Sequence, residues 1–212
     1  GMHLSMFSSI AVYFGNKIGN KKLTYIFRIT VIIIFVWFAG FSSSLLRAFI
    51  CSFLAILAII SGTEEPDKLM ILCFAFLLQC IISPADIWNL GFILSYGALA
   101  GILLMNKSFF KILSKLFPGY LSASLASSTS AQLFTIPVSF NNFGFFTPVG
   151  IIATTVISPL ITLFIYSGLI LIILSLIFPI LMTSSGIFMN LQYTVIKFLV
   201  TFFSQFPKWS IN

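Results

Sequence analysis

The sequence predicts an all-α fold, namely a polytopic bundle of transmembrane helices. Of the 212 residues, 59% are hydrophobic and only 7% are charged, and the mean hydropathy is +1.14. This balance is far from that of a soluble single domain. Several apolar runs approach or exceed the roughly 20 residues that a helix needs to cross a bilayer core, and none alternates as a barrel strand does.

Polar breaks divide the chain into successive apolar runs. In the longest run Pro159 predicts a break, with a short segment before it and a full span after it, and Pro179 predicts a second irregularity near the end. We therefore expect about eight or nine membrane segments, some of them short, broken or re-entrant. The runs cover residues 2–14, 24–39, 45–61, 69–82, 87–105, 121–138, 148–182 and 187–206. We interpret residues 1–212 as one membrane domain without a soluble domain. Because the first run is too short to span a bilayer by itself, we expect this domain to belong to a larger protein.

The net charge of +7 is compatible with nucleic-acid binding, but in a membrane protein it is more often due to lysines in cytoplasmic loops. Two lysine clusters follow the first and fifth runs, and the crossings between them place both clusters on the cytoplasmic side. They comprise Lys17, Lys21, Lys22, Lys107, Lys111 and Lys115. Around the second cluster, lysines at intervals of four alternate with phenylalanine and leucine, which predicts a short interfacial helix anchored to anionic lipid.

Arg47 stands a few residues inside the apolar run "GFSSSLLRAFICSFLAIL", Gly40 to Leu57. Helical spacing places the small residues of this run on one stripe, with bulky residues opposite, and Arg47 lies on the flank of the small stripe. We therefore expect it to point toward protein or a watery cavity. It either snorkels to the outer interface or supplies positive charge to a pore vestibule. The preceding serines, including Ser43 and Ser44, are suited to cap the helix, whose positive end would add to that field.

The run from residue 121 carries hydroxyl and amide side chains around nearly its whole circumference, so it is poorly suited to face lipid. It either packs through hydrogen bonds between helices, which we slightly favour, or lines an aqueous path. The residues concerned include Ser124, Ser128, Gln132 and Thr135. We expect this run to stop at Pro137, followed by irregular backbone at Asn141 and Asn142 beside an outer cavity.

Other polar residues carry weaker indications. Asp86 and Asn89 precede an apolar run, where capping of a helix is favoured over a substrate role. His3 near Ser5 is too generic an arrangement to indicate a hydrolase. The sequence contains no glycine-rich phosphate loop and no metal-binding motif, so we expect no cofactor, no metal and no enzymatic activity. The three cysteines lie in apolar runs and are interpreted as small hydrophobic residues.

Four stretches, taken in order, resemble the membrane competence domain of ComEC-type DNA-uptake proteins. They are "GMHLS" at the start, "GFSSSLLRAFI" from Gly40, "SPADIWNLGFILSYGALAGIL" from Ser83, and "AQLFTIPVSFNNFG" continuing to "TPVGIIATTVISPL". The resemblance covers nearly the whole chain. There are departures from the family pattern: Ser43 or Ser44 replaces a usual proline, Asn142 a common histidine and Thr154 a frequent asparagine.

The resemblance implies a channel domain in the bacterial inner membrane that passes single-stranded DNA into the cytoplasm during natural transformation. Expected partners are single-stranded DNA, membrane lipid, other competence-machinery proteins and a DNA-translocating ATPase, and a homo-oligomer is compatible with this role. A secondary transporter or channel for a small anionic solute remains an alternative, as does a membrane scaffold that transports nothing. The candidate path residues are Arg47, His3, Ser43, Ser44, Asp86, Asn89, Ser124, Ser128, Gln132, Thr135, Asn141 and Asn142.

Overall fold

The computed structural model describes residues 21–40, 42–63, 65–178, 182–206 and 209–210. Within these residues the chain forms seven α-helices, one 3₁₀ helix and two short strands. The α-helices are α1 (Lys21–Ala39), α2 (Ser43–Ile60), α3 (Lys68–Ile82), α4 (Leu90–Leu113), α5 (Gly119–Phe143), α6 (Val149–Ile177) and α7 (Met182–Ser204). The 3₁₀ helix is Pro84–Trp88, and the strands are β1 (Phe145–Phe146) and β2 (Trp209–Ser210).

The predicted all-α membrane architecture is confirmed in its coarse form. Among the residues that the structure describes, four helices are long and apolar enough to cross a bilayer: Ser43–Ile60, Leu90–Leu113, Val149–Ile177 and Thr183–Ser204. The helices around Thr24–Trp37 and Lys68–Ile82 are apolar but shorter. The expected count of about eight or nine segments is not confirmed, and the first apolar run lies outside the described residues.

The chain divides into two compact units, Gly1–Leu103 and Leu104–Asn212, with the boundary inside α4. In the first unit, α2 packs against both α1 and α3. One core cluster joins α2 and α3 to α4 through Ile50, Leu72, Ala75, Phe92 and Tyr96. A second cluster, formed by Ile32, Val36 and Ala48, holds α1 against α2.

In the second unit, α6 packs against α5 and α7. The strands β1 and β2 pair in antiparallel fashion, with Phe145 opposite Ser210 and Phe146 opposite Trp209. Helix α5 ends where Gly144 adopts a left-handed conformation with φ of 71° and donates its backbone N–H to the carbonyl of Phe140. Glycine suits this position because a Cβ disfavours positive φ.

Two predicted helix breaks at proline are wrong. Helix α5 continues through Pro137 to Phe143, so Asn141 and Asn142 lie in its last turn and not in irregular backbone. Helix α6 likewise continues through Pro159 as a single element of 29 residues. Each proline lacks one backbone donor, but apolar helices with neighbouring helices tolerate that loss. Pro179 lies outside the described residues.

The predicted interfacial helix around the second lysine cluster is also not a separate element. Lys107 and Lys111 belong to the last turns of α4, which runs without interruption from Leu90 to Leu113. Strong helix formers such as leucine and lysine carry no signal that would end the helix before Ser114. The chain then turns through Lys115 before α5 begins at Gly119.

Candidate functional site

The polar centre of the first unit is built around Arg47 in the second turn of α2. The helix begins after Ser42, whose side-chain oxygen accepts a hydrogen bond from the backbone N–H of Leu45, so the predicted serine cap is confirmed. On the same helix Ala48 is buried, whereas Phe53 and Ile60 are exposed. The small stripe therefore lies nearer to protein than most of the residues opposite it, although the bulky Phe49 of the opposite face also packs against the core.

The guanidinium of Arg47 reaches across to α4. Its Nη1 donates to the backbone carbonyl of Ser95 at 2.6 Å, and its Nε is buried without a hydrogen-bond partner among the described residues. A positive charge in an apolar interior is costly unless an opposite charge or a set of hydrogen bonds compensates it. In the described part of the chain, Arg47 has one backbone carbonyl and no carboxylate to do so.

A buried amide joins the start of α2 to the elements around it. Gln79 of α3 is 0% exposed, and its Nε2 donates to the carbonyl of Ser43 at 3.1 Å and to Oδ2 of Asp86 at 3.3 Å. Its Oε1 accepts a hydrogen bond of 3.0 Å from the hydroxyl of Tyr96. One side chain therefore ties α2, the 3₁₀ helix and α4 to α3.

The remaining candidates of the first unit have local roles. The Oδ1 of Asn89 accepts from the backbone N–H of Gly91 at 2.9 Å, which is the capping interaction that the sequence predicts. Asp86 accepts from Gln79 instead of capping α4. Ser43 contributes its backbone carbonyl to Gln79, and Ser44 lies half-buried in the first turn of α2.

In the second unit, several hydroxyls of α5 donate back into their own helix. Thr135 donates to the carbonyls of Ala131 and Gln132, and Ser130 donates to that of Ala126. Ser124 and Ser128 differ, because they are half-buried and make no side-chain hydrogen bond with a described residue. Being four positions apart, they share one face of α5.

Gln132 lies where α5 and α6 approach closely. A Cβ added to Gly150 would come within 3.0 Å of the side-chain nitrogen of Gln132, and the Oε1 of Gln132 is buried without a partner among the described residues. Asn141 and Asn142 are exposed at the end of α5, where the side-chain nitrogen of Asn142 donates to the carbonyl of Val138. His3 lies outside the described residues.

Sequence reasoning missed three members of the polar centre: Gln79, Ser95 and Tyr96. A signal for Gln79 was present, because it is the single amide in the apolar stretch "ILCFAFLLQCII" and such residues usually face the bundle interior. Ser95 takes part through its backbone carbonyl. Because every residue has a backbone carbonyl, the residue type gives no signal of this role. Within the described ranges, no group of three or more histidine, cysteine or acidic residues could hold a metal ion.

Comparison with known proteins gives one match. A family model described as "Competence protein" matches residues 1–212. Neither the curated proteins nor the solved structures include a match to this chain. The family match covers every residue, and it agrees with the four motif stretches and with the apolar helical architecture. The chain belongs to the competence protein family.

Proposed function

We propose that this chain forms a non-catalytic channel domain that passes single-stranded DNA across the bacterial inner membrane into the cytoplasm during natural transformation. Membership of the competence family indicates involvement in DNA uptake. The observation that carries the finer proposal is Arg47, a half-buried cation without a carboxylate partner among the described residues. DNA phosphates are the anion that would complete its environment.

The surroundings of Arg47 suit transient contact with a phosphate. Its Nη1 is fixed on Ser95, which orients the guanidinium, while its Nε remains without a protein acceptor in the described ranges. The positive end of the α2 dipole lies one turn away and adds to the attraction of an anion. A strand that must move needs such sequence-independent and incomplete contacts more than a tight site.

The amide of Gln79 supports this arrangement by position. It holds the first turn of α2 through Ser43 and the second turn of α4 through Tyr96, and these are the two helices that Arg47 joins.

In the second unit, we propose that the half-buried hydroxyls of Ser124 and Ser128 form a polar wall for the DNA strand. We also propose that the protein lies in the inner membrane with about eight or nine membrane segments. There it acts together with the partner proteins expected from the sequence.

The test is DNA uptake in cells whose protein carries Arg47→Ala or Arg47→Lys, with membrane insertion and abundance measured separately. We expect Arg47→Ala to reduce uptake by about tenfold or more, since a charge-assisted hydrogen bond contributes about 1.5–3 kcal/mol. Arg47→Lys should retain part of the uptake because it keeps the charge. Lys111→Ala, an exposed cation on α4, is the matched control.

Uptake that stays normal in Arg47→Ala at normal protein levels would remove Arg47 from the path. Flux assays in liposomes separate the alternatives. Movement of a small anion without movement of an oligonucleotide would favour the solute channel, and movement of neither, with partner binding intact, would favour the scaffold.

A further inference from the structure

Helix α7 carries a polar stripe along its whole length. At about 100° per residue, the stripe occupies an arc of about 100°, and no aliphatic or phenylalanine side chain of the helix falls within that arc. It comprises Thr183, Gly186, Asn190, Tyr193, Thr194, Lys197, Thr201 and Ser204, all of which are exposed. The stripe therefore runs from one end of the candidate membrane span Thr183–Ser204 to the other.

The face of α7 that packs against α6 lies elsewhere on the helix. Its half-buried positions form a second arc, centred about 130° from the stripe. They are Ser185, Met189, Gln192, Ile196, Leu199 and Phe203. The Oε1 of Gln192 accepts a hydrogen bond of 2.9 Å from the hydroxyl of Ser167, and a Cβ added to Gly168 would come within 2.9 Å of the Cε of Met189. Packing against α6 therefore leaves the polar stripe uncovered.

Asn190 lies near the middle of this span. It is within about 5 Å of the centre, which is too deep for its short side chain to reach either interface. The hydroxyls of Thr194 and Thr201 donate to carbonyls of their own helix, but the side-chain amide of Asn190 makes no hydrogen bond with a described residue. An amide exposed to hydrocarbon is costly. The stripe therefore faces water or another polar surface.

Lys197 is the charged residue of the stripe. The acidic residues of the chain are Glu64, Glu65, Asp67 and Asp86, all of which precede α4. Within the described ranges, Lys197 makes no ion pair. A second copy docked symmetrically through the same stripe, in the same membrane orientation, would place two Lys197 side chains against each other, and like charges repel. The charge therefore complements an anion and opposes a symmetric dimer through this stripe.

We propose that the polar stripe of α7 lines a water-filled path and that Lys197 contacts phosphate groups that move through it. The inference rests on the proposed channel function, in which the phosphates belong to a single DNA strand; a small phosphate-bearing solute presents the same group. Hydroxyl and amide side chains bond to water and to successive phosphates, and these bonds are exchanged as the substrate moves. A lysine on its flexible stem attracts phosphate as a point charge without imposing one geometry.

Cysteine accessibility tests the direction in which the stripe faces. The native cysteines are removed by Cys51→Ser, Cys73→Ser and Cys80→Ser. Single cysteines at Asn190 and Thr194 then report on the stripe. The matched controls are cysteines at Leu191 and Val195, each one residue further along α7 and also exposed, so that depth and exposure are similar and the face differs.

The variants are compared in the full chain in phosphatidylcholine liposomes, with membrane insertion and abundance measured separately. We expect a membrane-impermeant methanethiosulfonate reagent to label the stripe cysteines at least about tenfold faster than the controls, because the reactive thiolate forms in water and not in hydrocarbon. Equal rates on both faces, or no labelling at any of the four positions, would overturn the proposal.

The charge of Lys197 is tested at the Thr194 cysteine with an anionic and a cationic reagent. Lys197→Gln should lower the anionic-to-cationic rate ratio by about tenfold, because one unit charge about 6 Å away acts with opposite sign on the two reagents even at the dielectric constant of water. Lys111→Gln should leave the ratio unchanged. A ratio that ignores Lys197→Gln would contradict the phosphate contact.

Two additions identify the source of the phosphate. Protection of the Thr194 cysteine by a single-stranded oligothymidylate assigns the path to nucleic acid. Protection by pyrophosphate alone assigns it to a small solute, which supports the stripe but contradicts the proposed channel function. Protection by neither would overturn the phosphate contact. None of these measurements uses DNA uptake or an Arg47 variant, so the stripe and the proposed function fail separately.

Discussion

Arg47 and Ser95 join two helices through one hydrogen bond of 2.6 Å between the guanidinium Nη1 and a backbone carbonyl, across 48 positions of sequence. The bond links the second turn of α2 to the second turn of α4. It directs the charge into the protein and away from lipid. The buried amide of Gln79 lies at the centre of the neighbouring hydrogen bonds, which involve Ser43, Asp86 and Tyr96.

Gln79→Leu should destabilise the protein strongly. The substitution leaves the carbonyl of Ser43, the carboxylate of Asp86 and the hydroxyl of Tyr96 without the amide that each contacts. Each buried group that loses its partner costs about 1–3 kcal/mol, so we expect a loss of about 3 kcal/mol or more. Thermal unfolding of the purified protein in detergent measures it.

The matched control for this substitution is Gln205→Leu, since Gln205 is exposed just after α7. Its melting temperature should stay within about a degree or two of the parent, as is usual for surface substitutions. If Gln79→Leu melted at the same temperature as the control, the buried amide would not stabilise the unit.

Tyr96→Phe should have a smaller effect. The ring stays in its aromatic cluster, where its centroid lies 4.7 Å from that of Phe92 and 5.3 Å from that of Phe76. The hydroxyl that donates to Gln79 is lost, which should cost about 1 kcal/mol. In combination with Gln79→Leu, Tyr96→Phe should add little, because the two substitutions remove the same bond.

The comparison variant is Tyr193→Phe, in which an exposed tyrosine of α7 loses its hydroxyl. Thermal unfolding of the single and double variants gives the coupling energy. Full additivity of Tyr96→Phe and Gln79→Leu would show that the hydrogen bond between them contributes nothing to stability.

Cysteines introduced at Ser124 and Ser128 should react with a membrane-impermeant thiol reagent if α5 forms a polar wall. Both side chains are half-buried and make no hydrogen bond with a described residue. A cysteine at Ser130, which is 0% exposed, should remain unlabelled in the same background of Cys51→Ser, Cys73→Ser and Cys80→Ser. Equal protection of all three positions would make α5 a packing helix, the interpretation that the sequence slightly favours.

Gly144→Ala should destabilise the second unit. Gly144 has φ of 71°, and a left-handed conformation costs a residue with a Cβ about 1–2 kcal/mol. A lower melting temperature is therefore expected, with Gly144→Asn intermediate, since asparagine tolerates this conformation better. Gly119→Ala is the control, because a Cβ there meets no atom within 4 Å, and a loss as large as that of Gly144→Ala would contradict the backbone explanation.

The success of sequence reasoning differs between local and long-range features. The serine cap before Leu45, the Asn89 cap and the inward direction of the small stripe follow from the chemistry of a few adjacent residues, and all are present. The breaks at Pro137 and Pro159 are wrong. Proline is a strong helix breaker in water, but in apolar surroundings the remaining backbone groups have no better partner than the helix itself.

The sequence by itself determined that this protein is helical, suited to a membrane and a member of its family, because hydropathy, helical periodicity and motif order are properties of residues close together in the chain. Only the tertiary structure decided which groups meet: Arg47 with the carbonyl of Ser95, and Gln79 with Asp86 and Tyr96. The physical reason is that a backbone carbonyl is the same at every position and that a contact between helices depends on how several runs pack together. Neither leaves a pattern in any single apolar run.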